Sequence, residues 1–293
     1  MDLVRSFAEA RGRYLGRVAL IPTMGYFHEG HLALMKSARG TADTVVVSIF
    51  VNPLQFNDPA DLERYPRDLV RDLEMAEAAN VDLVFAPPLE EMFPGPPTTR
   101  VVVGPVGERM EGPRRPGHFD GVATVVAKLL AGLQPHSAHF GRKDAQQVVV
   151  VKSLVADLSF PVAVVAHPTI RESDGLALSS RNVFLKAEDR SGALLLSKGL
   201  FEAGRLAGAG QRQAAVLKEA VSTALEPLAA EYIELASQDR ADLLEELDRP
   251  AFLATAVRVG GVRLIDNIAL DLVSGEVVAD FGVRLSHQSV LYR

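Results

Sequence analysis

Short apolar runs alternate with amphipathic stretches through the first 170 residues. Residues 17–21 have the composition of a strand, followed by a glycine-bearing turn and a helix from about residue 31. Residues 44–51 (TVVVSIFV) are an almost continuous β-branched run, as in a strand covered on both faces. The spacing then predicts a helix over 68–80, a strand over 81–86, a helix over 121–133, a strand over 138–141, a helix over 145–158 and a strand over 162–166. This βαβ rhythm predicts an α/β fold built on a parallel, doubly wound sheet. Such sheets take their ligands at the carboxyl ends of the strands. The turns after Ile21, Val51 and Phe140 are therefore the first places to look for chemistry.

The pattern changes near Arg171. Residues 187–208 and 211–228 read as helices, and 231–236, 254–259 and 264–270 as strands with short connections, a flavour kept over 273–293. The expectation is a first domain over 1–170 and a smaller α+β domain over 171–293. PGPP at 94–97 and the proline-bearing stretch 104–117 read as surface loops or a mobile flap.

With 293 residues, 48% of them apolar, the chain has ample material for two cores. No apolar run approaches the roughly 20 residues needed to cross a bilayer. The first ten residues carry Asp2, Arg5 and Glu9 and lack a signal-peptide stretch. Cysteine is absent, which removes disulfides, thiolate metal sites and a Cys nucleophile. Together these favour the cytoplasm. A net charge of −6 without a Lys/Arg block disfavours a nucleic-acid partner and suits a small anion held by a few local cations.

Four segments concentrate the candidate chemistry. The first is PTMGYFHEGH at 22–31, directly after the first strand. Gly25 and Gly30 permit tight turning, and His28 and His31, three apart, share a face in a helical turn. A helix start favours anions, so two imidazoles there suit a phosphate. Zinc binding is the weaker reading, because the helical zinc signature spaces its histidines four apart. Two solvated turn histidines are the bland one. The second segment, NPLQFN at 52–57, places Gln55 at a strand end, either to bind a ligand or to cap the strand. The third, FGRKDAQQ at 140–147, offers Lys143 as a point charge for phosphate, Asp144 as a helix cap or ribose ligand, and Gln147 on the Lys143 face. The fourth, RESDGLALSSRN at 171–182, is either a phosphate clamp hinged at Gly175 or a serine-rich linker. Asp68 and Asp72 share a helix face that is solvated or holds Mg²⁺ through water. Arg114, Arg115 and His118 bind a carboxylate or are ordinary loop charge. Neither a Walker A pattern nor Gly-x-Gly-x-x-Gly occurs.

In this order, PTMGYFHEGH, SIFVNPLQF, YPR (65–67), GHFDGVATVV (117–126), FGRKDAQQ and DGLALSSRN resemble the blocks of the pantothenate synthetases. The resemblance implies a Rossmann-like N-terminal domain of the His-x-Gly-His nucleotidyltransferase type, a smaller C-terminal lid domain, and a homodimer. It implies an ATP-dependent condensation of pantoate with β-alanine to pantothenate, AMP and pyrophosphate, through a pantoyl-adenylate, with Mg²⁺. By matched position, Met24, Gly25, His28 and His31 line the ATP site, with His31 as proton donor. Gly141, Lys143 and Asp144 contact ATP, as does Ile170 through its backbone; Leu178, Ser179, Ser180 and Arg181 form a second phosphate loop. Gln55 and Gln147 hold pantoate, and Asp72 aligns with a Mg²⁺-associated acid. Two positions depart from the pattern: Phe27 replaces the usual Leu, and Arg142 the usual Glu. The alternatives are another small-molecule nucleotidyltransferase, such as a cytidylyltransferase, which AMP plus an amide product would exclude, and a nucleotide-sensing module that binds ATP without releasing pyrophosphate.

Overall fold

The computed structural model of the protein describes residues 1–292. Its strands are β1 (Asp2–Val4), β2 (Val18–Thr23), β3 (Thr44–Ile49), β4 (Leu83–Phe85), β5 (Ser137–Gly141), β6 (Ala163–His167), β7 (Ile170–Arg171), β8 (Ala230–Ser237), β9 (Ala251–Val259), β10 (Val262–Val273), β11 (Glu276–Asp280) and β12 (Val283–Arg284). Its helices are α1 (Phe7–Arg11), α2 (Glu29–Arg39), α3 (Pro59–Arg64), α4 (Leu69–Ala78), α5 (Leu89–Met92), α6 (Glu111–Arg114), α7 (His118–Leu133), α8 (Ala145–Asp157), α9 (Arg190–Gly208) and α10 (Ala214–Ala224). Contacts divide the chain into two compact units, Met1–Phe140 with Val150–His167, and Gly141–Val149 with Pro168–Arg293.

The first unit is a parallel six-stranded sheet flanked by helices, in the order β1-β4-β3-β2-β5-β6. The β-branched runs of β2 and β3 lie side by side in register, Val18 opposite Thr44 through Thr23 opposite Ile49. Both are buried, as a strand under helices on two faces requires. The sheet is α/β and doubly wound, as the pattern predicts. The order reverses at β2, since β3 and β4 follow on one side and β5 and β6 on the other. The turn leaving β2 therefore lies at the topological switch point, where open α/β sheets place their ligands. Strand β1 does not stand out in the sequence, because it has three residues, only one of them buried.

The core between this sheet and α2 and α4 includes Ile21, Phe27, Met35, Val45, Val47 and Val84. Phe27, the departure from the usual Leu, is fully buried here. Within β5 and β6, Nδ1 of His139 and Nε2 of His167 are 2.9 Å apart, and Nε2 of His139 is 3.1 Å from the Ser137 hydroxyl. Burial, with His167 beside it, pushes His139 down to about 4. It therefore folds neutral.

The second unit is a four-stranded antiparallel sheet, β11-β10-β9-β8, covered by α9 and α10. Leu196, Leu200, Leu217, Leu253, Ile268 and Leu270 are in its core. A short parallel pair, β7 with β12, is set apart from that sheet. The tail keeps its strand character through β12; Arg293 lies outside the described residues. Arg171 organises the unit. All five of its N–H donors are matched: Nε to the Phe281 carbonyl (2.6 Å), Nη1 to Asp266 (2.6 Å) and the Gly175 carbonyl (3.2 Å), Nη2 to Asp266 (2.9 Å) and the Asn267 carbonyl (3.1 Å). The guanidinium is wholly buried and stacks 4.9 Å from the Phe201 ring centroid.

Removing one partner of such a pair strands the other charge. Arg171→Met should destabilise the protein by about 3–5 kcal/mol in urea unfolding, and adding Asp266→Leu should recover most of that loss. A single-variant loss near zero would show that the pair is dispensable. The histidine pair predicts a pH effect. An unfolded chain protonates His139 near 6.5, whereas the folded one holds out to about 4. The stability it contributes is present above pH 6.5 and is lost as pH falls toward 4. His139→Gln should flatten that part of the stability–pH curve.

Candidate active site

The turn after β2 is built around one carboxylate. Asp72, almost fully buried on α4, accepts the backbone N–H of Tyr26 through Oδ2 and of Phe27 through Oδ1, each at 2.7 Å. Burial raises its pKa against the lowering effect of those two bonds. Tyr26 and Gly25 both have positive φ, 54° and 81°, so the chain reverses sharply between strand and helix. Arg71 of the same helix donates to the Phe27 carbonyl (2.9 Å) and lies 5.2 Å from the Tyr26 ring centroid. Asp68 caps α4 by accepting the Arg71 N–H. On this face, Asp72 holds the backbone turn and Asp68 caps its own helix.

The two histidines bond reciprocally across the first turn of α2. Nδ1 of His28, the N-cap residue, accepts the Gly30 N–H (3.1 Å), and Nδ1 of His31 accepts the His28 N–H (3.2 Å). An imidazole whose Nδ1 accepts carries its single proton on Nε2. Both rings are therefore neutral Nε2–H donors, with centroids 4.2 Å apart at the positive end of a helix dipole. A Cβ on Gly30 would fall 2.7 Å from the His28 ring, so a glycine is needed for the ring to fold back.

Gln55 is fixed in the same unit. Its side-chain oxygen accepts from Asn52 (3.0 Å), and its amide nitrogen lies 3.2 Å from the sulfur of Met24. Asn52 also donates to the Gly121 carbonyl (3.0 Å). The Gln55 carbonyl accepts from Arg115 (3.3 Å) and is 2.9 Å from Nδ1 of His118. These two side chains of the proline-bearing loop and its following helix therefore reach the Gln55 backbone. Gly121 lets α7 approach, since a Cβ there would sit 2.3 Å from the Leu54 carbonyl oxygen. Asn52 and Gly121 lie inside the quoted motifs, which give them no role; their signal is the pairing of a buried amide with a glycine on a facing helix.

In the second unit, Gly141, Lys143 and Asp144 belong to the turn leading into α8, where Gln147 follows. Asn267 of β10 donates to the carbonyls of Arg142 (2.9 Å) and Lys143 (2.7 Å). Arg142 pairs with Asp280 (3.2 Å) and stands 3.9 Å from Asp271, so the charge added at this position is balanced by the sheet. Lys143 Nζ is 3.7 Å from Asp144. The loop carrying Ile170 and Leu178–Arg181 is likewise anchored. The Ile170 carbonyl accepts from the Leu178 N–H (2.9 Å), and Ser179 caps the turn Ser180–Phe184 through the Arg181 N–H (3.3 Å). Glu172 accepts from Arg190 (2.6 Å), the Tyr292 hydroxyl (2.8 Å) and Asn182 (3.3 Å). Burial and the neighbouring Glu172 push the Tyr292 phenol up to about 12, so it stays a donor.

Among the described residues, no group of three or more His, Cys, Asp or Glu side chains is arranged to hold a metal. No helix among them is long and apolar enough to cross a membrane.

The family model for pantoate–beta-alanine ligase matches residues 1–269. The pantothenate synthetase of Roseiflexus sp. (strain RS-1) is 48% identical over 277 residues, 92% of this chain and 100% of the relative. The crystal structure of pantothenate synthetase from Thermus thermophilus superposes with a TM-score of 0.87 at 46% identity, covering 91% of this chain and 98% of that one. A Francisella tularensis pantoate–beta-alanine ligase, complexed with beta-gamma ATP and beta-alanine, gives 0.75 at 33% identity, covering 92% and 97%.

Gly121→Ala should destabilise the protein by about 1–3 kcal/mol in thermal or urea unfolding, because the 3-10 turn Pro53–Gln55 must leave α7. Wild-type stability would show that the turn and helix are not in contact as described.

Proposed function

The chain belongs to the pantoate–beta-alanine ligase family, and on that premise we propose that it condenses pantoate with β-alanine, consuming ATP and releasing AMP and pyrophosphate. The observation that supports this most is the turn at 22–31, which holds two neutral Nε2–H donors at a helix start at the switch point.

In the first step a carboxylate oxygen of pantoate attacks the α-phosphorus of ATP. The bond from that phosphorus to the bridging oxygen of pyrophosphate breaks, leaving pantoyl-adenylate. In the second, the free amine of β-alanine attacks the acyl carbon, AMP leaves with the electron pair of the acyl–oxygen bond, and the amine loses a proton. The protein forms no covalent bond, so positioning and charge stabilisation carry the catalysis. His31, as proton donor, and His28 give their Nε2–H to phosphate oxygens. Lys143, Ser179, Ser180 and Arg181 neutralise the charge growing on pyrophosphate. Met24, Gly25, Gly141, Asp144 (ribose), Ile170 (adenine, by backbone) and Leu178 complete the ATP contacts. Gln55 and Gln147 bind pantoate, Gln55 with its oxygen already committed to Asn52.

Mg²⁺ enters with the phosphates of its substrate, Mg·ATP. Among the described residues there is no resident cage for it, and magnesium ordinarily binds through one or two carboxylates plus substrate phosphates. Asp72 acts first as the acceptor that shapes the turn. We further propose a homodimer and a cytoplasmic location, and a domain division near residue 170 that differs from 1–170 and 171–293 only in that 141–149 and 168–170 go with the C-terminal unit.

Incubation with ATP, pantoate and β-alanine should release AMP and pyrophosphate in a one-to-one ratio with amide. ATP hydrolysis without amide would overturn the reading. His31→Ala should lose at least about a hundredfold in turnover, the effect of removing one preorganised donor, with the fold retained at a cost of about 1 kcal/mol for the lost capping acceptor. Near-normal turnover would remove His31 from the chemistry. Lys143→Ala should slow pyrophosphate release, with folding retained; an unfolded variant would assign that residue to structure.

A further inference from the structure

Asp266 and Asn267 are consecutive on β10, paired in register with Thr255 and Ala254 of β9. Each reaches a different segment of the second unit. Asp266 takes two hydrogen bonds from Arg171, the residue after Ile170 and the base of the loop that runs to Arg181. Asn267 donates both amide hydrogens to consecutive backbone carbonyls, those of Arg142 and Lys143. Its own carbonyl accepts from Arg171, and its N–H donates to Asp266. Both side chains are buried. The two segments assigned to ATP in this unit are thus tied to one two-residue stretch on an inner strand.

We propose that Asn267 is a positioning residue for ATP, and that with Asp266 it forms a dyad fixing Lys143 and the 170–181 loop relative to each other. The idea rests on the ligase reading for what those segments bind. Lys143 carries its ammonium on a flexible four-carbon stem, so the charge is only as well placed as the backbone beneath it. Asn267 holds that backbone from a rigid element, the arrangement that keeps a functional group within a fraction of an ångström of its working position. A polar residue that merely satisfied itself inside the sheet would need no contact with Lys143. Neither segment, by contrast, depends on Asp266 or Asn267 touching substrate.

The test is Asn267→Leu in the full chain, which keeps the bulk and removes both donors. Pantoate-dependent ATP–pyrophosphate exchange should show the ATP KM raised roughly tenfold or more, with the pantoate KM within about twofold of wild type. Backbone hydrogen exchange over 141–147 should accelerate while the rest of the sheet keeps its protection. If Asn267→Leu fails to fold, Asn267→Ser carries the same readouts. An unchanged ATP KM, a pantoate KM rising in parallel, or unchanged protection over 141–147 would overturn the proposal. Wild-type protein that supports no exchange would sink the ligase reading together with the inference. Wild type that exchanges normally, beside a variant with unchanged ATP affinity, would sink the inference alone.

Discussion

The helix start at the switch point depends on where two ring nitrogens spend their lone pairs. Nδ1 of His28 and Nδ1 of His31 each accept a backbone N–H of the first turn of α2. An added proton on either ring at that position would break one of those bonds. The helix start and the tautomer are therefore the same fact. The helix needs acceptors for its orphan N–H groups, and supplying them from imidazole Nδ1 leaves the proton of each ring on Nε2. The Asp72 carboxylate sets up the geometry from below by holding the Tyr26 and Phe27 amides, and the absence of a side chain on Gly30 lets the His28 ring close.

The second unit follows the same logic with charge instead of tautomer. Its cations Lys143 and Arg181 are partly buried on long stems, and hydrogen bonds fix the backbone that carries them. Arg171 meets five acceptors in a buried interior, and Asn267 meets two more. Buried polar groups are costly unless fully matched, and once matched they specify a single arrangement. Surface ion pairs elsewhere, such as Lys186 with Glu188, contribute little by comparison. Arg142 lies between these cases: its charge is balanced by Asp280 and Asp271, so it fastens the turn that bears Lys143.

Periodicity exposed the parallel sheet because β2 and β3 are long, β-branched and buried on both faces. The rhythm marked the turn after Ile21 as one of three strand ends, and only the strand order of the structure singles it out as the switch point. Helix ends were harder: α7 begins at His118, before its first clear apolar spacing, because Gly117 supplies a left-handed cap rather than a polar one. β1 and the β7–β12 pair escaped notice because runs of two or three residues carry no period. At the site, the histidines, Gln55 and Lys143 were visible as residue types at strand ends. Their supports were not. Spacing alone leaves Asp68 and Asp72 as a solvated acidic face or a Mg²⁺ site, and Arg115 and His118 as a carboxylate site or loop charge, because a hydrogen bond to a distant backbone leaves no mark on spacing. Asn267 sits inside an apolar strand pattern with no sign of its partners 124 and 125 residues away.

The most direct check is of the proton positions themselves. Nitrogen NMR of the protein labelled at histidine, at neutral pH, should find both His28 and His31 neutral, with the proton on Nε2 and Nδ1 bare. Resonances showing either ring protonated at Nδ1, as the other tautomer or as imidazolium, would contradict it, because the helix start could not then be held as described and the pair could not serve as the phosphate donors.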